Sequence, residues 1–129
     1  MVLLDTHVLI WTVTEPSKLS KTAREAIREA RLDSSVAIAD STLWELAWLL
    51  HHNRIGVAGS LESFLREATE KVVTKPITPE IAAFAARLPA TFPRDPADRL
   101  IAATALSHGV PLVTADERIR QSQVVSTIW

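Results

Sequence analysis

The apolar residues of this chain form short unbroken runs that alternate with longer stretches in which apolar positions recur every three or four residues. Short apolar runs between polar residues are typical of strands buried on both faces, whereas the longer spacing is typical of helices. The runs predict five strands, at residues 2–4, 36–39, 72–77, 111–114 and 124–128. Since helical stretches separate the strands, we expect a parallel sheet with helices on both faces, joined by right-handed crossovers.

Local signals define the ends of the predicted helices. Ser20 and Ser60 are good N-cap residues, prolines at 79 and 96 suit the first helical position, and Gly109 suits a helix end. The predicted helices span about 6–15, 20–31, 42–52, 60–71, 78–88 and 95–108, with a short one from 116. Residues 53–59 are predicted to be a flexible connection, and residues 88–94 a loop.

Composition narrows the candidate functions. A chain of 129 residues without a linker or repeat predicts one domain, residues 1–129. The absence of cysteine excludes disulfides, zinc–thiolate sites and cysteine nucleophiles. With 14 basic and 15 acidic residues, the net charge of -1 gives no general attraction to nucleic acid or to anionic membranes. A polyanionic substrate would therefore have to be bound locally.

The apolar segments give no sign of a membrane protein. The first residues contain an acid at position 5 and no cationic start, so they do not resemble a secretory signal. The apolar run at 8–11 is far too short to cross a bilayer. We expect a soluble, cytoplasmic protein with no membrane partner.

Four acidic residues lie where an apolar run gives way to a helical pattern. Asp5 ends the first run, Asp116 closely follows the run at 111–114, and Glu45 and Asp98 fall in the first turns of predicted helices. Strand ends and helix starts meet in one crevice of an open α/β sheet. Converging carboxylates repel one another unless a cation holds them, and oxygen ligands suit Mg²⁺ or Mn²⁺. The pattern predicts a divalent-metal site that could hydrolyse phosphodiesters.

Each acid also has a structural explanation. Thr42 and Glu45 have the spacing of a capping box, and Asp95 has the position of an N-cap with Asp98 in the first turn. Asp5 and Asp116 could cap the helices after their strands or lie in turns. On the residues alone these alternatives stay open for the four acids, whereas Asp95 is assigned to the cap.

The remaining polar and aromatic residues offer weaker candidates. No G-x-S-x-G sequence occurs, so a serine hydrolase triad is not indicated. His7 could line the acidic pocket, although packing at the helix start is the favoured interpretation. Trp44 and Trp48 could stack bases, but their four-residue spacing favours core or interface packing. Phosphate contacts are candidate roles for three arginines, with a solvated salt-bridged face as the alternative: Arg94, Arg99 and Arg118.

Four segments, with their order and flanks, resemble the motifs of PIN-domain nucleases, and most closely of VapC-like toxins. The segments are residues 3–11, 41–46, 95–105 and 112–116, so the resemblance covers nearly the whole chain. It implies a three-layer α/β/α fold with a short parallel sheet of about five strands. It also implies that Asp5, Glu45, Asp98 and Asp116 form the metal-binding and catalytic set, with Thr6 and Thr114 as hydroxyl neighbours.

The same resemblance implies a function and partners. A VapC-like chain is expected to be a Mg²⁺- or Mn²⁺-dependent endoribonuclease that cleaves RNA, forms homodimers and is inhibited by a VapB-like antitoxin. The alternatives are a non-catalytic PIN-like scaffold and a receiver-like binding module. A receiver needs two early acids and a lysine after a late strand, and here Lys75 precedes Asp98, which disfavours that alternative.

Overall fold

The computed structural model describes residues 1–52 and 58–129, and within them it contains five strands and seven α-helices. The strands are β1 (Val2–Leu4), β2 (Val36–Ala39), β3 (Val73–Lys75), β4 (Leu112–Val113) and β5 (Thr127–Ile128). The helices are α1 (Thr6–Thr14), α2 (Lys21–Leu32), α3 (Asp40–His51), α4 (Leu61–Thr69), α5 (Pro79–Ala86), α6 (Pro96–His108) and α7 (Glu117–Ser122). A short 3-10 helix at Pro16–Lys18 was not predicted, and most of the predicted connection at 53–59 lies outside the described residues.

The five strands form one parallel sheet in the order β3-β2-β1-β4-β5. The chain adds strands outward from β1 on one side and then from β4 on the other, so the order reverses between these two central neighbours. Open α/β sheets bind their ligands in the crevice beyond the carboxyl ends of the strands at such a reversal. The predicted parallel sheet is confirmed. Its topology predicts a ligand site at the residues that follow β1 and β4.

Helices cover both faces of the sheet, as predicted. Alternate strand residues point to opposite faces: Leu4 and Ile38 pack with α1 to α4, whereas Leu3 and Leu112 pack with α6 and α7. Helix α5 lies outside the sheet and packs on α6 through its own small apolar surface. The three-layer α/β/α arrangement is therefore confirmed, and none of the helices in residues 1–52 and 58–129 has the length and apolar character needed to span a bilayer.

Helix α3 begins two residues earlier than predicted. Its N-cap is Ala39, without a side-chain hydrogen bond, and Thr42 is fully buried within the helix. The capping box expected between Thr42 and Glu45 is therefore absent. Instead, Asp40 Oδ2 accepts a hydrogen bond from the Ile77 N–H at 3.1 Å, which ties the helix start to the segment after β3.

Trp44 and Trp48 do not lie in the core. Their exposed fractions are 69% and 39%, and the buried side of α3 is formed by Thr42, Leu46 and Leu50. The four-residue spacing correctly placed both tryptophans on one side of the helix. Of the core or interface packing favoured for them, the core alternative is wrong, and interface packing stays a prediction. The two indoles form a surface beside α6, where they line a groove.

Candidate active site

Two acids lie at the carboxyl ends of the central strands. Asp5 follows β1 directly, and its backbone N–H donates to the Val113 carbonyl of β4 at 3.0 Å. Asp116 follows β4 by three residues and begins α7. The sheet topology therefore brings together two residues that are more than a hundred positions apart in the sequence.

A buried threonine connects these two acids. The Thr114 hydroxyl donates to Asp5 Oδ2 at 2.7 Å and accepts from the Asp116 N–H at 3.0 Å. The other oxygen of Asp5, Oδ1, accepts from the Thr6 N–H at 2.8 Å. Thr114 is fully buried and Asp5 is 4% exposed, so the carboxylate direction is fixed by the fold.

Glu45 reaches the same region from α3. The Thr6 hydroxyl donates to Glu45 Oε1, and Thr6 Oγ1 lies 3.2 Å from Thr42 Oγ1. A hydroxyl carries a single hydrogen, so Thr42 must be the donor of the pair when Thr6 donates to Glu45. Sequence reasoning assigned Thr42 to a cap and missed this role, since its partner lies 36 residues away.

Two further acids lie at the start of α6. Asp95 is the N-cap, as predicted, and its Oδ1 accepts from the Asp98 N–H at 3.1 Å. This bond fixes the turn that carries Asp98. Asp116 likewise caps α7, where its Oδ1 accepts from the backbone N–H groups of Arg118 and Ile119 at 2.9 and 3.4 Å. Asp116 therefore caps α7 and also belongs to the acidic pocket.

The pKa values of two of the acids are raised by the charges of their acidic neighbours. The pKa of Asp98 is raised to about 7, first by burial and then by the negative charges of Asp5, Asp95, Asp116 and Glu45. Burial also raises the pKa of Glu45, the hydrogen bond from Thr6 lowers it, and the charges of Asp5 and Asp95 raise it again. Asp5, Glu45, Asp98 and Asp116, called here the acidic set, thus share one field of mutual repulsion.

The chemistry of this donor set fits a hard divalent cation. All the candidate ligands are carboxylate oxygens, and their mutual repulsion would be relieved by positive charge. Within residues 1–52 and 58–129, no group of three or more Asp, Glu or His side chains is arranged so that it could hold a metal ion. Mg²⁺ does not require one, because it keeps several waters and is held by one or two carboxylates together with substrate phosphate.

His7 also contacts the pocket. Its Nε2 accepts from the Ala115 N–H at 3.0 Å, and its Nδ1 lies 3.6 Å from Asp5 Oδ2. Because Nε2 accepts, the ring proton lies on Nδ1, on the side of Asp5. The ring also packs edge-on against Trp11, with centroids 4.9 Å apart. His7 thus lines the pocket and also packs at the helix start, so both roles that the sequence offered for it apply.

The three candidate arginines separate into two groups. Arg94 and Arg118 line a surface cavity of about 570 Å³ together with Thr91, Gln121 and Ser122. The guanidinium of Arg99 instead donates to backbone carbonyls at the end of α5 and in the loop that follows, those of Ala85, Leu88, Pro89 and Pro93. Arg99 therefore holds the end of α5 and the loop that follows it against the start of α6.

A comparison with known families agrees with the geometry. The family model described as the PIN domain matches residues 2–124. The chain belongs to the PIN-domain family. One similar PIN-domain relative is Ribonuclease VapC22 of Mycobacterium tuberculosis (strain ATCC 25618 / H37Rv), 49% identical over 130 residues that cover 99% of this chain and 98% of the relative. PIN-domain ribonucleases in general depend on divalent metal ions.

Solved structures show the same fold at lower sequence identity. VapBC2 from Rickettsia felis, bound to a DNA fragment from its promoter, matches with a TM-score of 0.75 at 14% identity, covering 98% of this chain and 97% of the other. DNA-bound VapBC from Salmonella typhimurium matches with a TM-score of 0.75 at 20% identity, covering 98% and 95%. These similarities bear on the PIN fold alone.

Proposed function

We propose that this chain is a divalent-metal-dependent endoribonuclease that acts as the toxin of a toxin–antitoxin pair. The observation that supports the proposal is the placement of Asp5 and Asp116 beyond β1 and β4, where Thr114 bridges them. The charges of Asp5, Glu45 and Asp116 also help to raise the pKa of Asp98. Membership of the PIN-domain family and the 49% identity to a protein named a ribonuclease support RNA as the substrate.

The metal is Mg²⁺ or Mn²⁺, held by carboxylates of Asp5, Glu45, Asp98 and Asp116. A bound divalent cation would make a water easier to deprotonate and would stabilise the charge that develops on the phosphate. The chain itself supplies rigid ligands. Thr114 and the Thr6 N–H fix Asp5, and the Thr6 hydroxyl fixes Glu45. Asp95 fixes the helix turn that carries Asp98.

The RNA backbone is bound by Arg94 and Arg118. Both line the cavity of about 570 Å³, Arg94 directly precedes Asp95 in the chain, and together they supply local positive charge in a chain whose net charge is -1. Arg118 also lies 3.5 Å from Asp116, but its side chain is 72% exposed. Exposed ion pairs contribute little, so this guanidinium can turn to a phosphate at small cost. Planar guanidinium groups match phosphate oxygens well.

The partners follow from the family. Structural neighbours are complexes of VapC-type and VapB-type chains, which supports a VapB-like antitoxin for this protein. We place the antitoxin over the acidic set, with an arginine inserted there, because a side-chain cation would offset the same repulsion that a metal ion offsets. A homodimer in the cytoplasm is part of the same proposal. A complex in which all four acids remain uncovered would contradict the antitoxin position.

Purified variants test the catalytic claim. Asp5→Asn and Asp98→Asn should abolish RNA cleavage in Mg²⁺ or Mn²⁺ while circular dichroism and thermal unfolding show an intact fold. The matched control is Glu25→Gln on the exposed surface of α2, which removes the same charge outside the pocket and should cleave normally. Cleavage by both Asp variants at the wild-type rate would defeat the proposal. Carboxylate-dependent metal binding without any cleavage would favour the PIN-like scaffold instead.

A further inference from the structure

His7 connects the start of α1 with the loop between β4 and α7. Its Nε2 accepts from the Ala115 N–H at 3.0 Å across 108 positions of the sequence, and its Nδ1 lies 3.6 Å from Asp5 Oδ2. Ala115 is the residue between Thr114, which donates to Asp5, and Asp116, which caps α7. One imidazole ring therefore contacts both of the chain segments that carry the acids of the central strands.

Helix α7 does not fix the position of Asp116 by itself. The helix has six residues, and helices this short are marginal without other contacts. The loop before it is held through its backbone N–H groups. The Thr114 N–H donates to the Ile128 carbonyl of β5 at 3.2 Å, and the Asp116 N–H donates to the Thr114 hydroxyl at 3.0 Å. Between them, the Ala115 N–H donates to His7, and this middle bond links the loop backbone to α1.

An aromatic column holds the imidazole in its orientation. Trp11 lies one turn further along α1 and packs edge-on against His7, with ring centroids 4.9 Å apart. Trp11 itself contacts Trp129, with centroids 5.9 Å apart, and Lys18 Nζ lies 5.6 Å from the centroid of the Trp11 ring. These ring and cation–π contacts restrain the side chain that accepts from the loop. A restrained acceptor loses little conformational freedom when it forms a hydrogen bond, so it is well suited to hold a loop in place.

The same hydrogen bond argues against a role for His7 as a catalytic base. A neutral imidazole has one acceptor nitrogen, and the Ala115 N–H occupies it here. The other nitrogen carries the ring proton and faces Asp5. His7 therefore has no free nitrogen lone pair with which to take a proton from a water in the pocket. Its effect on the site has to act through Asp5 and Asp116.

We propose that His7 is a positioning residue of the metal site, whose hydrogen bond with Ala115 holds Asp116 in place relative to Asp5. The inference rests on the proposed function and identifies how two of its carboxylates are kept ready for the divalent cation. Loss of a group that orients metal ligands usually weakens metal affinity by about tenfold to a hundredfold. A ring that served packing alone would leave the metal affinity unchanged when another ring replaced it.

Two substitutions separate the hydrogen bond from the ring. His7→Phe keeps an aromatic ring against Trp11 and loses the nitrogen that accepts from Ala115. His7→Gln loses the ring, but its side-chain oxygen is as many bonds from Cβ as Nε2 is, so it can accept from the same N–H. The matched control is His108→Phe, the same substitution at an exposed residue in the last turn of α6.

Calorimetry with Mn²⁺ alone measures the effect on the site without cleavage. His7→Phe should weaken the Mn²⁺ affinity about tenfold or more, whereas His7→Gln should stay within about threefold of the wild type and His108→Phe should equal it. Wild-type affinity in His7→Phe would overturn the inference, because a ring alone would then be sufficient. An equal loss in both His7 variants would overturn it as well, since the loss would come from the ring and not from the hydrogen bond.

Amide hydrogen exchange in a chelator gives a second readout, and its first part uses the wild-type protein only. The Ala115 N–H should be protected in the wild type and should lose this protection in His7→Phe. The reference is the Leu112 N–H, which donates to the Ser126 carbonyl at 2.9 Å and should stay protected in both proteins. Rapid exchange of Ala115 in the wild type, or unchanged protection in His7→Phe, would overturn the inference.

The outcomes separate this inference from the proposed function. A Mn²⁺ affinity that falls in His7→Phe and is retained in His7→Gln, together with no RNA cleavage by the wild-type protein, would support the positioning role and refute the ribonuclease. RNA cleavage by the wild-type protein, together with a Mn²⁺ affinity that is indifferent to His7→Phe, would do the reverse.

Discussion

The hydroxyl of Thr114 provides the sharpest test of how the acidic set is built. It is fully buried, donates to Asp5 and accepts from the Asp116 N–H. Replacing Thr114 by Val keeps the shape of the side chain and removes only these two bonds. Asp5 Oδ2 and the Asp116 N–H would then lack their threonine partner inside the fold.

The expected loss of stability follows from the two bonds. A hydrogen bond to a charged group contributes about 1.5–3 kcal/mol, and an unpaired buried donor costs about 1–3 kcal/mol. Since the Asp116 N–H is partly accessible, we expect the free energy of unfolding to fall by about 2–4 kcal/mol in total. The same change should lower RNA cleavage, because Asp5 loses the group that fixes its direction.

Thr104 is the matched control. It is equally buried, but its hydroxyl donates only to the Leu100 carbonyl one turn earlier in α6, at 2.7 Å. That carbonyl has its regular helix partner as well, so Thr104→Val should cost less than about 1 kcal/mol. Urea unfolding of both variants in a chelator measures the difference. Equal losses would refute the reasoning that Thr114 is a structural part of the acidic set.

Three further predictions concern charge. With the pKa of Asp98 at about 7, the ionised fraction of its carboxyl group rises from about 0.1 at pH 6 to about 0.9 at pH 8. The apparent Mn²⁺ affinity measured by calorimetry should therefore rise about tenfold over this range. An affinity that does not change with pH would argue against Asp98 as a ligand. The folded state binds this proton more tightly than the unfolded state, so in a chelator its contribution to stability is present at low pH and lost toward pH 7. Asp98→Asn should therefore melt higher than wild type at pH 8, and the difference should shrink as the pH falls below about 7 and disappear near the ordinary value of 3.8. Arg99→Ala should lower the free energy of unfolding, measured with urea, by about 2–4 kcal/mol. Arg118→Ala should instead lower the RNA affinity measured by fluorescence anisotropy. A loss of stability in Arg118→Ala together with a loss of RNA affinity alone in Arg99→Ala would contradict the division between these arginines.

The sheet and most helices could be predicted because local signals define them. Ser20, Ser60, Thr78 and Asp95 each cap the helix that their position predicted, and Gly109 ends α6 with a left-handed φ of 62°. The approach of Asp5 to Asp116 was also predictable, since strand ends in a parallel sheet meet at one edge. These features depend on a few neighbouring residues or on a rule of topology.

The start of α3 could not be predicted from its neighbours. Thr42 and Glu45 have good capping spacing, but the Asp40 side chain binds the Ile77 N–H, 37 residues away. With the helix beginning at Asp40, Thr42 turns inward toward Thr6. A contact between distant segments therefore overrode a sound local signal.

The functions of exposed residues were harder to predict than those of buried ones. Periodicity placed Trp44 and Trp48 on one side of α3, but Thr42, Leu46 and Leu50 form an equally regular line and take the core. Arg99 is near Asp98 in the sequence, yet most of its partners are carbonyls of a loop whose path no local pattern specifies. Spacing identifies which residues share a side of a helix, and packing decides what that side contacts.

Sequencing of RNA ends after controlled expression tests the central claim most directly. Expression of the wild-type chain should produce new, discrete RNA ends that also identify the substrate, and expression of Asp98→Asn at the same level should produce none of them. The Glu25→Gln variant should give the wild-type pattern. The same ends in the Asp98→Asn culture, or no new ends in the wild-type culture, would contradict a carboxylate-dependent ribonuclease.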